Sequence, residues 1–201
     1  VDKAESDRSD AGAINAQAPS VLAEEAERVG ALMVHFSTDY VFDGKKAGAY
    51  TEADTPNPQS VYGATKLAGD HAVLQSCTRH LILRTSWVVG AHGGNFAKTM
   101  LRLAAERDTL NVVADQSGAP TSAALLADLT AHLLRQWSAA PPSFPYGLYH
   151  VTNAGVTNWH QYASYVIERA RAAGKPVRVA PGAIKAIATS DYPTAARRPR
   201  N

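Results

Sequence analysis

A single cysteine, Cys77, stands in a chain of 201 residues. One cysteine closes no internal disulfide, and it fits a reducing compartment, most simply the cytoplasm. Charge of one sign is scarce as well: 20 Lys and Arg against 18 Asp and Glu leave a formal net charge of +2. That balance offers neither nucleic acid nor a membrane surface an electrostatic handle, and neither is expected as a partner. Long apolar runs are missing, since "ALMVHF" and "LILRTSWVVG" are far too short to span a bilayer. The opening "VDKAESDRSD" is polar and acidic, the wrong composition for a signal peptide. No repeat recurs at solenoid periods, and the one biased patch, "SAAPPSFP", reads as a surface connection. The histidines show no metal-ligand spacing. Cys77 and His80 lie close together but lack partners, so zinc is not expected. His35, inside an apolar run, reads as a packed core residue.

What is present is the composition of a globular domain with a proper core: 45% apolar and 19% charged residues. In "INAQAPSVLAEEAERVG" apolar residues fall at Ile14, Ala18, Val21, Leu22, Ala26 and Val29, a helical period ending at Gly30. "ALMVHFSTD" follows as a short, nearly continuous apolar run, the pattern of a strand buried on both faces of a parallel sheet. A polar connection with Pro56 and Pro58 leads to a helix starting near Tyr62, and "HLILRTSWVVG" reads as a second buried strand. Helix, strand, helix, strand at this spacing predicts an α/β, Rossmann-like doubly wound parallel sheet. Further on, helices are expected in "NFAKTMLRLAAER", "AALLADLTAHLLRQW" and "WHQYASYVIERARAAG", and strands in "LNVVAD" and "YGLYHVTN". Residues 1–90 read as part of a dinucleotide-binding domain. Residues 91–201 read mainly as a substrate-binding lobe interleaved with the last elements of the sheet.

Ligands of open α/β sheets bind outside the carboxyl ends of the strands. Ser37, Thr38, Asp39 and Tyr40 follow the first buried run, and Ser86 and Trp87 the second. Tyr62 and Lys66 sit four positions apart in "SVYGATKLAGD", about one helical turn, so their side chains share a face. Such a pair on its own reads first as a solvated helix surface. Beside Thr38 it suits carbonyl reduction, which needs a proton for the developing oxyanion. A phenol with an ordinary pKa of about 10 is a sluggish acid near neutrality. An ammonium one turn away is expected to lower that pKa, and Thr38 to hold the carbonyl oxygen through a hydrogen bond.

Tyr-x-x-x-Lys with an upstream Thr resembles the short-chain dehydrogenase/reductase superfamily. The series "VHFSTDYVFDG", "YTEADTPNPQSVYGATKLAGD", "LILRTSWVVG", "GNFAKTMLRLA", "DQSGAPTSAALLAD" and "YPTAARRPRN", in that order, resembles its dTDP-4-dehydrorhamnose reductase branch over essentially the whole chain. The resemblance implies catalytic roles for Thr38, Tyr62 and Lys66, and substrate stacking by Tyr40 and Trp87. It also implies that Tyr62 and Lys66 contact the ribose end of NADPH or NADH. It places Asn95 near the sugar diphosphate of a dTDP-sugar substrate. Arg197, Arg198 and Arg200 read first as a solvated tail, and near a diphosphate they could clamp it through bidentate contacts. The sequence departs from that pattern twice. It contains no Gly-x-x-Gly-x-x-Gly turn for the cofactor pyrophosphate, and so reads as an internal portion of a longer enzyme. Ala124 stands where some members carry a glutamate that helps bind Mg2+ between subunits, and alanine has no ligand atom to offer; a homodimer stays open. Two other readings share these motifs: a regulatory subunit like that of methionine adenosyltransferase, and a neighbouring nucleotide-sugar reductase or epimerase.

Overall fold

The polar opening of the chain is helical. In the computed structural model, which describes residues 1–199, helices α1 (Asp2–Ser6) and α2 (Arg8–Gly12) lead through a wide π turn (Ala13–Gln17) into α3 (Ala18–Val29). Pro19 is tolerated because it falls in the first turn of α3. Within α3 the small residues Ala23 and Ala26 face the core. Ile14, Val21, Leu22 and Val29 stay exposed, so the bulkiest apolar residues of the periodic stripe are not the ones that pack. Small side chains let α3 lie close on α4 (Val61–Ser76).

The chain gathers into two compact units. The first comprises Val1–Ser86, Leu125–Thr152 and Thr194–Asn201. Its centre is a parallel sheet in the order β1 (Met33–Thr38), β2 (His80–Thr85), β7 (Gly147–His150). Ser37 lies opposite Arg84, and Leu83 opposite Tyr149. Alternation along β2 sends Ile82 toward Ala23, Val73 and Cys77 of the α3 and α4 layer. Leu81 and Leu83 go to the opposite layer, with Phe144 and with Leu133 and Trp137 of α6 (Ala123–Ala139). Helices on both faces of a parallel sheet give the α/β, doubly wound architecture. β1 is not buried on both faces: Phe36 is 42% exposed. Among the described residues β1 is paired along one edge only.

The second unit comprises Trp87–Ala124 and Asn153–Pro193. Helices α5 (Phe96–Glu106) and α7 (Trp159–Ala172) pack with the parallel pair β4 (Leu110–Val113) and β9 (Ile184–Ile187). Met100, Ala104, Leu110, Val112, Ala163, Ile167 and Val179 form its core. The expected run "HLILRTSWVVG" is not one strand. β2 stops at Thr85, Trp87 takes a positive φ of 46°, and the chain resumes as β3 (Val88–Val89), paired with β6 (Thr121–Ser122). A left-handed tryptophan cannot continue a pleated strand. The sequence showed no signal for β5 (Ser117–Gly118), its antiparallel partner β8 (Thr157–Asn158), or β9. No helix among the described residues is long and apolar enough to cross a membrane.

Candidate active site

Thr38 is the last residue of β1. Its Oγ1 accepts the Tyr40 backbone N–H at 3.2 Å and donates to Asp39 Oδ1 at 3.0 Å. A threonine so placed bends the chain into the short turn Asp39–Val41. The first turn of α4 is fixed independently. Ser60 Oγ accepts the Gly63 N–H at 3.1 Å, and Glu5 Oε1 accepts the Val61 N–H at 2.8 Å, satisfying donors that a helix start leaves open. Gly63 lies directly under the Tyr40 backbone: a Cβ there would overlap the Tyr40 carbonyl oxygen and come within 3.0 Å of its carbon. This contact sets the Tyr40 ring edge-on to that of Tyr62, centroids 5.4 Å apart at 81°. Thr38, Tyr40 and Tyr62 are thus brought together at the carboxyl end of β1.

Lys66, one turn along α4, is half-buried. Its Nζ donates to the Phe36 carbonyl at 2.6 Å and stands 3.4 Å from His35 Nε2. The electrostatics differ from the expectation of a phenol lowered by an ammonium. Burial pushes the Tyr62 phenol above its usual 10.0, against a hydrogen bond with Thr38, and the negative charges of Asp39 and Asp70 add to the rise. Burial lowers Lys66 while Asp70 supports its charge. Directed at the β1 backbone, the ammonium does not act as the phenol's counter-charge. His35 is buried as expected, but within a polar cluster and not as apolar packing.

Asp39 was not singled out by spacing, yet burial pushes its carboxyl up to about 6 from the usual 3.8. Between those two values the folded state binds more protons than the unfolded chain. Stability therefore falls as pH rises through that window and stays reduced above it. Asp39→Asn keeps an oxygen for the Thr38 hydroxyl and removes the buried charge. At pH 7 it is expected to melt several degrees above the wild type, with the difference gone below about pH 4. A melting curve at the two pH values checks this; equal Tm values at pH 7 would show that the carboxylate carries no burial penalty.

Tyr40 is held at its other end: its hydroxyl accepts from Arg198 Nη1 at 2.8 Å, and Arg198 Nη2 pairs with Asp2 at 2.6 Å. Arg198 is thus engaged with its own chain, Arg197 is exposed, and Arg200 lies outside the described residues. The other two expected site residues belong to the second unit. Trp87 stacks on Trp159, centroids 3.4 Å apart and 10° from parallel, and a Cβ on Gly118 would strike the Trp87 ring. Trp159 is fixed in turn by Gln116, whose Oε1 accepts its indole N–H at 3.1 Å. Sequence reading missed Trp159. The quoted run "DQSGAPTS" carries Gln116 and Gly118, but nothing in it names an indole about forty residues on. Asn95 caps α5, accepting the Lys98 N–H at 3.0 Å while its amide donates to the Gly90 carbonyl at 2.8 Å, so both polar ends are used within its own turn. The described residues hold no cluster of three or more metal-ligating side chains.

The RmlD substrate binding domain family matches residues 1–201. The chain belongs to that family. It is 51% identical over 201 residues to the dTDP-4-dehydrorhamnose reductase of Escherichia coli (strain K12), an alignment covering 100% of this chain and 66% of the relative. Among solved structures it is similar to the dTDP-4-dehydrorhamnose reductase of Clostridium acetobutylicum, with a TM-score of 0.88 at 38% identity, covering 100% of this chain and 66% of that one. It is also similar to that of Bacillus anthracis in complex with NADP, with a TM-score of 0.86, 38% identity and the same coverage. The RmlD-family chain thus spans just under two thirds of the length of these relatives. The fold shared with these reductases is the α/β arrangement already described.

Proposed function

We propose that this RmlD-family chain carries the catalytic residues of an NADPH-dependent reductase that converts the 4-keto group of dTDP-4-dehydro-L-rhamnose to the alcohol of dTDP-L-rhamnose. The observation that supports it most is the joining of Thr38 and Tyr62 at the end of β1, with Lys66 on the same face of α4. The 51% identity to the Escherichia coli reductase points to this sugar over other nucleotide sugars.

The residues present fit a nicotinamide ribose. An ammonium brings three donors; Lys66 directs one to Phe36 and keeps capacity for a ribose hydroxyl beside the Tyr62 phenol. Bound NADPH supplies hydride to the carbonyl carbon. Tyr62 gives its phenolic proton to the carbonyl oxygen, and a pKa above 10.0 keeps that proton on the phenol throughout the neutral range. Thr38, whose hydrogen bond draws the Tyr62 pKa down against burial, keeps the phenol oxygen at the end of β1. Tyr40 serves as an aromatic contact for the substrate. Asn95, its amide spent within the Gly90–Lys98 turn, orders that turn.

Loss of NADPH absorbance on addition of dTDP-4-dehydro-L-rhamnose to the complete protein tests the reading. No oxidation, together with binding to methionine adenosyltransferase, would replace the reductase by a regulatory subunit. Lys66→Met is expected to weaken NADPH binding about tenfold or more, the value of a hydrogen bond to a charged group. Calorimetric titration reads it, and unchanged affinity would remove Lys66 from the cofactor contact.

A further inference from the structure

Tyr62, Lys66 and Asp70 lie at successive turns of α4 and so form one stripe facing the sheet. Asp70 is wholly buried, Arg84 of β2 is 5% exposed and His35 of β1 is 7% exposed. Arg84 Nε donates to Asp70 Oδ2 at 3.0 Å. His35 Nε2 stands 3.4 Å from Asp70 Oδ1 and also 3.4 Å from Lys66 Nζ. One ring nitrogen cannot donate to a carboxylate and accept from an ammonium at once. The Lys66 ammonium already has the Phe36 carbonyl at 2.6 Å, whereas hydrogen bonds from His35, Ser37 and Arg84 favour the charged Asp70 carboxylate. Nε2 therefore carries a proton toward Asp70, and the carboxylate lies a single imidazole nitrogen away from Lys66.

Stability alone does not account for this cluster. The same layer is otherwise built from Ala23, Val73, Cys77 and Ile82, and buried ion pairs are commonly replaced by apolar side chains at no loss. A half-buried lysine, by contrast, loses its charge readily unless an anion supports it. We propose that Asp70, gripped by Arg84 and linked through His35, is a positioning residue that keeps the Lys66 ammonium charged and in place beside Tyr62. The proposal rests on the reductase reading for its purpose but not for its measurement. The titratable and charged groups that face the pair are His35 from β1, Arg84 from β2 and Tyr62 from the same helix; Asp39 and Tyr40 face the phenol. The Asp70 charge raises both Lys66 and Tyr62, so its removal shifts both in one direction.

The test uses the complete protein with lysines labelled with carbon-13, and follows the Lys66 side-chain titration by NMR beside the pH profile of kcat/KM. Asp70→Asn is expected to lower the Lys66 titration by about one pH unit and to move the alkaline limb of the profile down with it. Asp70→Glu should restore both. Asp70→Asn leaves Arg84 buried without an anion. The double variant Asp70→Asn, Arg84→Met removes both charges and should fold with Lys66 still lowered. A Lys66 titration and an alkaline limb that stay in place while Tm falls would overturn the proposal and leave Asp70 a structural residue. A wild type that oxidises no NADPH with the dTDP-sugar would instead remove the reductase reading, and the NMR arm would still decide the Asp70–Lys66 coupling.

Discussion

Tyr62→Phe is expected to lower kcat by a factor of about 100 to 10,000, the usual worth of a positioned general acid, while the fold survives. The substitution removes one oxygen. The ring still meets Tyr40 edge-on across 5.4 Å, and the first turn of α4 keeps its caps from Ser60 and Glu5. What goes is the proton that the developing alkoxide needs and the hydrogen bond with Thr38. KM for the dTDP-sugar should move little, because the Tyr62 ring itself stays in place. Steady-state kinetics with a melting curve on the same preparation separate the two effects. A near-normal kcat would take Tyr62 out of the chemistry.

Gly63→Ala should do comparable damage to turnover by another route. The added methyl meets the Tyr40 carbonyl oxygen inside its van der Waals radius, the Tyr40 carbonyl carbon at 3.0 Å and Pro58 Cβ at 3.1 Å. The first two are main-chain atoms, held by the Thr38 turn, so they cannot rotate aside. Either α4 lifts from the turn or the turn opens. Overpacking of this kind costs about 1 to 3 kcal/mol or more, against a gain in helix propensity of about 1 kcal/mol for alanine over glycine. A separation of about 1 Å between Tyr62 and the Thr38 turn is expected to cost roughly 100-fold in kcat. Ala64→Gly, at the exposed neighbouring position, supplies the control: about 1 kcal/mol of stability lost and turnover unchanged. Wild-type Tm and kcat in Gly63→Ala would show that the close approach of α4 to Tyr40 does not build the site.

The elements that carry the candidate chemistry could be read from spacing because they are local. Four-residue spacing puts Tyr62 and Lys66 on one face of a helix expected to start near Tyr62, and the Ser60 cap that fixes its first turn came with the structure. Short apolar runs mark β1 and β2, and the quoted motif series pointed to the reductase branch to which the family match leads. Everything that depends on a partner distant in sequence came from the tertiary structure. Trp87 breaks the second run because its ring is held by Trp159 and Gly118, and no property of "RTSWVVG" alone requires a positive φ. Phe36 is exposed because burial of a strand depends on what covers it, which the strand's own residues do not encode. Lys66 aims at the Phe36 carbonyl, away from the role of counter-charge to the phenol, because β1 crosses beneath α4 at that height. His35, Asp70 and Arg84 look like a core histidine, a helix-surface acid and a stray arginine when read in line. Only folding places them on two strands and a helix that meet, where a buried carboxylate must find its donors.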